Sequence, residues 1–302
     1  MRKDENSMRI VATYSLVAFD APSQTWAVGV QSKFLAVGSV VPHAMAQVGA
    51  IATQAWANPT FGPNGLKLLQ QGLPAEDVVQ TLIQADEGRA HRQLGIVDRS
   101  GHSAAWTGEA CMEWAGHVTG PGFSCQGNIL AGQSVVHDMA HTFQSQPEGD
   151  LAQKVLRGLF AAEQAGGDRR GRQSAALLVV QAGQGYNSLT DRYIDLRVDD
   201  HPQPLDELQR LLRLHRLYME KPSPQRIKPA STFNSDAIVE GLRNLGALPP
   251  GHRQFDSQAR EALKSWAHRE NFEERWIDFD QFDEELIAFL LEQAATAKAR
   301  GG

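Results

Sequence analysis

Two apolar, β-branched runs, residues 10–19 (IVATYSLVAF) and 25–31 (TWAVGVQ), flank the turn formers Asp20-Ala21-Pro22-Ser23-Gln24. This pattern predicts an antiparallel β-hairpin. Strand alternation puts Val11, Thr13, Ser15 and Val17 on one face and Ile10, Ala12, Tyr14 and Leu16 on the other. With Phe19 paired to Thr25, Thr13 is expected opposite Gln31, and Lys33 becomes its diagonal neighbour on the same face, with Cβ atoms roughly 7–8 Å apart. An ammonium there would lower the hydroxyl's pKa or relay its proton, as a Ser or Thr nucleophile requires. The competing reading is a β-branched residue suited to a pleated surface, followed by a solvated lysine.

Residues 33–47 read as a connection punctuated by Gly and Pro, and 48–54 (VGAIATQ) as a third strand of small residues. The loop after it carries Trp56, Asn58, Phe61 and Asn64 among Pro59, Gly62, Pro63 and Gly65, and reads either as a pocket lining or as a rigid turn before a helix. Helical spacing follows at 66–71 and 75–85, an apparent hairpin at 93–98 and 102–106, helices at 135–144 and 150–165, strands at 174–181 and 191–198, and a helix at 204–219. Residues 220–230 (EKPSPQRIKPA) fit an extended linker, and helices at 236–245, 257–271 and 280–295 predict a small bundle.

Composition narrows the function classes. The 302 residues suffice for one large domain and a small one, and 42% hydrophobic with 21% charged residues is ordinary for a globular chain. A net charge of −6 leaves no basic surplus for nucleic-acid backbones. No run approaches the ~20 apolar residues of a membrane span. Two cysteines, Cys111 and Cys125, cannot build a disulfide framework or a four-cysteine zinc site, and with a charged, acid-containing N-terminus they favour the cytoplasm.

The glycine-dense segment 114–132 (WAGHVTGPGFSCQGNILAG) lacks a dinucleotide fingerprint and a phosphate loop. Its glycines permit close backbone approach or free N–H groups, and Asn128 is a candidate oxyanion donor or a plain turn residue. His137 and His141 share a helix face, but HDMAH lacks the glutamate of a zinc-protease helix, so an exposed pair is preferred to a metal site. Arg169, Arg170 and Arg172 would clamp a carboxylate or remain solvated in their loop. Asp199-Asp200-His201 reads as a helix entry.

Several of these stretches together resemble the family catalogued as domain of unknown function 1028: TYSLVAFD, AVGVQSKFLAVGSVVP, GAIATQAWANPTFGPNGL, RQLGIVD, WAGHVTGPGFSCQGNILAG, GGDRRGRQSAALLVV and DRYIDLRVDDHP. That family in turn resembles the N-terminal-nucleophile (Ntn) hydrolases. The resemblance implies an α+β fold, a four-layer αββα sandwich over residues 9–219, followed by a linker at 220–232 and a small helical domain at 233–302. It implies Thr13 as nucleophile with its own α-amine as base, on condition that the chain is cleaved after Ala12. Lys33, Asn128 and the substitute nucleophile Ser15 complete the expected catalytic set, and Ser32, Gln54, Trp56, Asn58, Arg169 and Arg170 the substrate contacts. No metal or cofactor is expected. The tail, through LRNLGALPPGHRQFDSQAREALKSWAHREN, is similar to peptidoglycan-binding modules, so peptidoglycan or a protein is its expected partner. The leading expectation is a homo-oligomeric hydrolase of a small amide, with no nucleic-acid or membrane partner. A non-catalytic small-molecule or cell-wall binding protein is the alternative, and zinc hydrolysis through His137 and His141 a third.

Overall fold

A computed structural model of the chain describes residues 13–301. Residues 10–12 of the expected opening strand, and with them the junction after Ala12, lie outside the described residues. The chain divides into two compact units, Met1–Leu212 and Arg213–Gly302.

In the first unit β1 (Thr13–Asp20) and β2 (Thr25–Ser32) form the expected hairpin. Then follow β3 (Pro42–Met45), β4 (Gly49–Ala55), α1 (Phe61–Gln70), α2 (Ala75–Gln84), β5 (Arg92–Asp98), β6 (Ser103–Thr107), β7 (Gly116–Gly120), β8 (Phe123–Asn128), α3 (Ser134–Ser145), α4 (Leu151–Gln164), β9 (Ser174–Gln181), β10 (Arg192–Val198) and α5 (Pro204–Met219), whose residues from Arg213 on belong to the second unit. The strands make a six-stranded sheet, β10-β9-β2-β1-β8-β7, and a four-stranded sheet, β3-β4-β5-β6. Every pairing in both sheets is antiparallel.

The near-continuous apolar character of β1 and β2 follows from burial on both faces. Val17, Trp26 and Val28 pack in one cluster with Ala50, Ala52 and Val97, between the two sheets. The alternate residues Tyr14, Leu16 and Ala18 pack outward on Met139, Val155 and Leu159 of α3 and α4. On the other sheet Ile51, Leu94 and Ile96 pack outward on Leu69, Val78 and Leu82 of α1 and α2. Two sheets therefore lie face to face, each with helices on its outer side.

The hairpin register differs from expectation. Asp20, not Phe19, pairs with Thr25, and Thr13 pairs with Ser32 rather than Gln31. The cause is local. The Asp20 carboxylate accepts the Ser23 N–H at 3.1 Å and the Ser23 hydroxyl at 2.6 Å, which closes a four-residue turn and makes Asp20 the last strand residue. Three further elements depart from the sequence reading. β3 lies within the stretch read as a connection, and the glycine-dense segment contains the β7–β8 hairpin, turned at Gly122 with φ +77°. Helix α1 begins at Phe61, and its Gly65 packs so closely on Ile51 that a Cβ would come within 2.5 Å of the isoleucine Cδ1.

In the second unit β11 (Ile227–Pro229), inside the expected linker, pairs with β12 (Gln281–Asp283). Helices α6 (Ser235–Asn244), α7 (Ser257–Arg269) and α8 (Glu284–Gly301) correspond to the three expected. Asn234 and Asp256 cap α6 and α7, accepting the N–H groups of Ala237 and Ala259. Their apolar faces enclose Leu242, Leu263, Trp266 and Phe272. Arg275 is buried in an ion pair with Asp283 and also donates to the Arg216 carbonyl at 2.7 Å. No helix among the described residues is long and apolar enough to cross a membrane.

Gly95 sets the spacing between the two sheets, since a Cβ there would lie 2.1 Å from Gln126 Oε1 and 2.6 Å from Ser124 Oγ. Gly95→Ala is expected to destabilise the first unit by about 1–3 kcal/mol, read from the midpoint of chemical unfolding. An unchanged midpoint would refute the close approach.

Candidate functional site

The polar residues of the sheet interior gather at one end. One row across the six-stranded sheet runs Ser174, Ser32, Thr13, Asn128, each the direct cross-strand partner of the next. All four are fully buried. The facing sheet supplies Gln54, Gln93 and Thr107, again as successive cross-strand partners. Buried polar groups of this kind stay in place only where each finds a partner.

The hydrogen bonds have a direction that the backbone dictates. Gln93 Nε2 donates to the carbonyls of Gly127 at 2.7 Å and Gly116 at 3.2 Å, and to Thr107 Oγ1 at 2.9 Å. Carbonyls only accept, so the Gln93 amide is held one way round and its Oε1 faces the interior. That oxygen accepts from Gln54 Nε2 at 2.8 Å and from Asn128 Nδ2 at 3.0 Å. Asn128 is thereby oriented too, and its Oδ1 is buried without a partner among the described residues. Thr13 Oγ1 donates to Ser32 Oγ at 3.0 Å.

Ser15, one inward position along β1, donates to Gln54 Oε1 at 2.6 Å and accepts from Gln126 Nε2 at 2.7 Å. Its proton is given to an amide oxygen, which is no base, so the hydroxyl is braced rather than activated. Gln126 is oriented in turn by Ser124, whose hydroxyl donates to its Oε1 at 2.6 Å.

Lys33 does not join this group. The observed register places Ser32, not Lys33, on the face of Thr13, and alternation turns the lysine away. Its Nζ donates to the Arg172 carbonyl at 3.4 Å, and its N–H to Asp168 at 3.0 Å. The expected ammonium beside the Thr13 hydroxyl is corrected on this point.

The expected substrate contacts divide. Ser32 and Gln54 stand with Thr13. Trp56 stacks on His91 at 4.6 Å between ring centroids. Asn58 is a turn brace, accepting the Thr60 N–H at 3.1 Å and donating to Asp86 at 3.1 Å. Asp86 also pairs with Arg92 at 2.8 Å. Burial pushes the Asp86 carboxyl up, but the hydrogen bonds from Arg92, Asn58 and Gly88 outweigh it and hold it below the usual range. Asn58 and Asp86 line a hollow of about 680 Å³ together with Asn64, Lys67 and Gln71 of the α1–α2 side. Arg170 is bound to Asp168 at 2.9 Å, and Arg169 is exposed, its N–H on the Ile129 carbonyl. The two arginines make no clamp on the Thr13 group.

His137 and His141 are both exposed on α3, and no group of three metal-ligating side chains occurs among the described residues. Cys111 and Cys125 are free thiols, and burial pushes that of Cys125 far up. The residues missed by sequence reasoning are Gln93, Gln126 and Asp168. For the glutamines a signal existed, because each occupies an inward position in its strand.

Two family models match the chain. One, described as a family of unknown function (DUF1028), covers residues 13–208. The other, described as "Putative peptidoglycan binding domain", covers residues 218–290. Among solved structures the chain is similar to the crystal structure of protein SPO2555 from Silicibacter pomeroyi, whose title carries the same DUF1028 family model. Identity is 30%, over 68% of this chain and 86% of that one, with a TM-score of 0.62. No curated protein matches the chain.

Replacing Gln93 by Leu strips donors from two carbonyls and an acceptor from Gln54 and Asn128. At about 1–3 kcal/mol for each buried group left unpaired, Gln93→Leu is expected to cost more than about 2 kcal/mol in chemical unfolding. Lys33→Ala, at an exposed position, is expected to stay within about 0.5 kcal/mol. Equal effects from the two variants would contradict the network.

Proposed function

The chain belongs to the DUF1028 family, and from that premise we propose that its first unit is an Ntn-type αββα hydrolase of a small amide, with Thr13 as nucleophile once the chain is cleaved after Ala12. The observation that carries the reading is the buried Asn128 Oδ1, without a hydrogen-bond partner among the described residues, on the same cross-strand row as Thr13. Cross-strand partners have Cβ atoms about 4.5–5.5 Å apart. Cleavage would give Thr13 an α-amine, a donor of the kind this acceptor lacks.

The chemistry then needs no lysine. The α-amine, with an ordinary pKa of about 7.7–8.0, takes the Thr13 hydroxyl proton as the oxygen attacks the amide carbon. The proton passes to the departing amine, and water releases the acyl group by the reverse sequence. Asn128 Oδ1 accepts an N–H of the α-amine and so orients its lone pair toward Oγ1. Its Nδ2, which gives one hydrogen to Gln93, has a second for the oxyanion. Ser32 and Gln54 brace the nucleophile and the carbonyl end of its residue, where Gln54 Nε2 reaches the Thr13 carbonyl at 3.4 Å.

A second reading is favoured by the match of the C-terminal unit to a peptidoglycan-binding type of domain. In that reading the protein is a non-catalytic binder that contacts the cell wall. The two assignments of place conflict: free Cys111 and Cys125 support a reducing, cytoplasmic compartment, whereas contact with the wall requires export.

Intact-mass measurement of the purified protein separates the readings. Loss of residues 1–12 from the wild type, with Thr13→Ala remaining full length, is the expected result. A wild-type chain that keeps its first twelve residues and hydrolyses no member of a panel of small amides, ureides and acyl-amino acids would leave the binding protein.

A further inference from the structure

The outer face of the six-stranded sheet, behind Thr13, carries a second polar group of residues. A hollow of about 260 Å³ lies between Gln31 at the end of β2, Glu163 at the end of α4, and Asp168, Arg172 and three glycines of the following loop. It is smaller than the roughly 300–1,000 Å³ of drug-sized sites.

Of two buried polar atoms here, one lies on the hollow and the other behind its Gly167 wall. Gln31 Oε1 and Tyr14 Oη have no hydrogen-bond partner among the described residues. The two side chains are direct cross-strand partners and are 2% and 0% exposed. Gln31 lines the hollow itself. Gly167, which also lines it, lies over the phenol: a Cβ there would be 3.3 Å from Tyr14 Cε1 and 3.8 Å from Oη. An unpaired buried polar atom costs about 1–3 kcal/mol. One on the wall of a small cavity and a second directly behind its glycine wall mark a site shaped for a polar guest.

The inventory of groups defines that guest. Burial first, and then the Glu163 and Asp168 carboxylates, push the Tyr14 phenol well above its usual pKa against the opposing Arg172, so it stays a donor. Asp168 is committed to the Lys33 and Arg170 N–H groups. Glu163 and Arg172 pair with each other at the rim, with 19% and 44% of their side chains exposed. What remains for a ligand is two acceptors, Gln31 Oε1 and Glu163, and two donors, Tyr14 Oη and Arg172, with no net charge.

We propose that this hollow binds the zwitterionic head of a small α-amino acid, its ammonium on Gln31 Oε1 and Glu163 and its carboxylate on Arg172 and Tyr14 Oη. A zwitterion exchanges the rim ion pair for two pairs of the same charges and supplies the missing partner of each buried atom. A lone cation or a lone anion satisfies one buried atom and strands one rim charge. The proposal is independent of Thr13 and of any cleavage.

Calorimetric titration of the full chain with glycine, alanine and glutamine tests it, with methylamine and acetate as the two halves of the head. Saturable binding of at least one amino acid is expected, at least tenfold tighter than either half. Tyr14→Phe, which keeps the ring in the core, and Glu163→Gln at the rim are each expected to weaken it at least tenfold without lowering the unfolding midpoint below that of the wild type. No saturable amino-acid binding, equal binding of acetate or methylamine, or undiminished binding in both variants would overturn the assignment.

Discussion

The amide of Gln93 is the constraint on which the sheet interior depends. Its nitrogen is claimed by two main-chain carbonyls that can only accept, so its oxygen has one direction left, and that oxygen then sets the amides of Gln54 and Asn128. Gln54 and Gln93 belong to one sheet and Asn128 to the other, so the bonds cross the interior. The low local dielectric strengthens them and penalises any misfit. A slip of one residue in β5 would turn Gln93 outward and bring Leu94 in, which leaves several buried groups unpaired at once. The network fixes register as much as it adds stability.

Much of this fold was legible in the residues, and the reason is periodicity. Alternate positions of β1 feed two different cores, Leu16 outward and Val17 inward, so the apolar run marked a strand buried on both faces. What was not legible was a single step of register, because Asp20 is equally at home opening a loop or closing a turn with its carboxylate. That step decided the fate of Lys33. The glycine-dense segment was ambiguous for a related reason: composition announces close backbone approach, but only the partner shows that the approach is that of β7 on β8 and that Ile129, Leu130 and Ala131 already donate to Met112, Trp114 and Gly167.

At the candidate site residues on strands came together and residues in loops did not. Asn128, read from the glycine-dense segment, ends a strand, while Lys33, placed by strand register, is turned away past the end of its strand. Thr13, Ser15, Ser32, Gln54 and Asn128 share the interior because face and register are properties of strands. Trp56, Asn58, Arg169 and Arg170 lie in loops, where side-chain chemistry suggests a contact but no period governs direction. Asn58 and Arg170 instead satisfy Asp86 and Asp168, two carboxylates that shape their own turns. Gln93 was passed over because a single glutamine at the head of an apolar strand reads as a strand end, although its inward parity was available from the sequence.

The interior therefore runs from a polar end at the start of β1 to an apolar end at Val17, Val28 and Val97. Folding free energy comes mostly from the apolar end, because a buried hydrogen bond exchanged for one with water contributes only about 0.5–1.5 kcal/mol net. An aliphatic core along the whole length would hold the sheets together at least as well. Placing a row of hydroxyls and amides there instead, with the Asn128 acceptor beside Thr13 lacking a partner among the described residues, breaks the local rule for a sandwich core. Such violations concentrate where a protein does its chemistry. On this ground stability alone does not explain the composition of the polar end at Thr13, whereas the wider hollow beside Asn58 breaks no such rule.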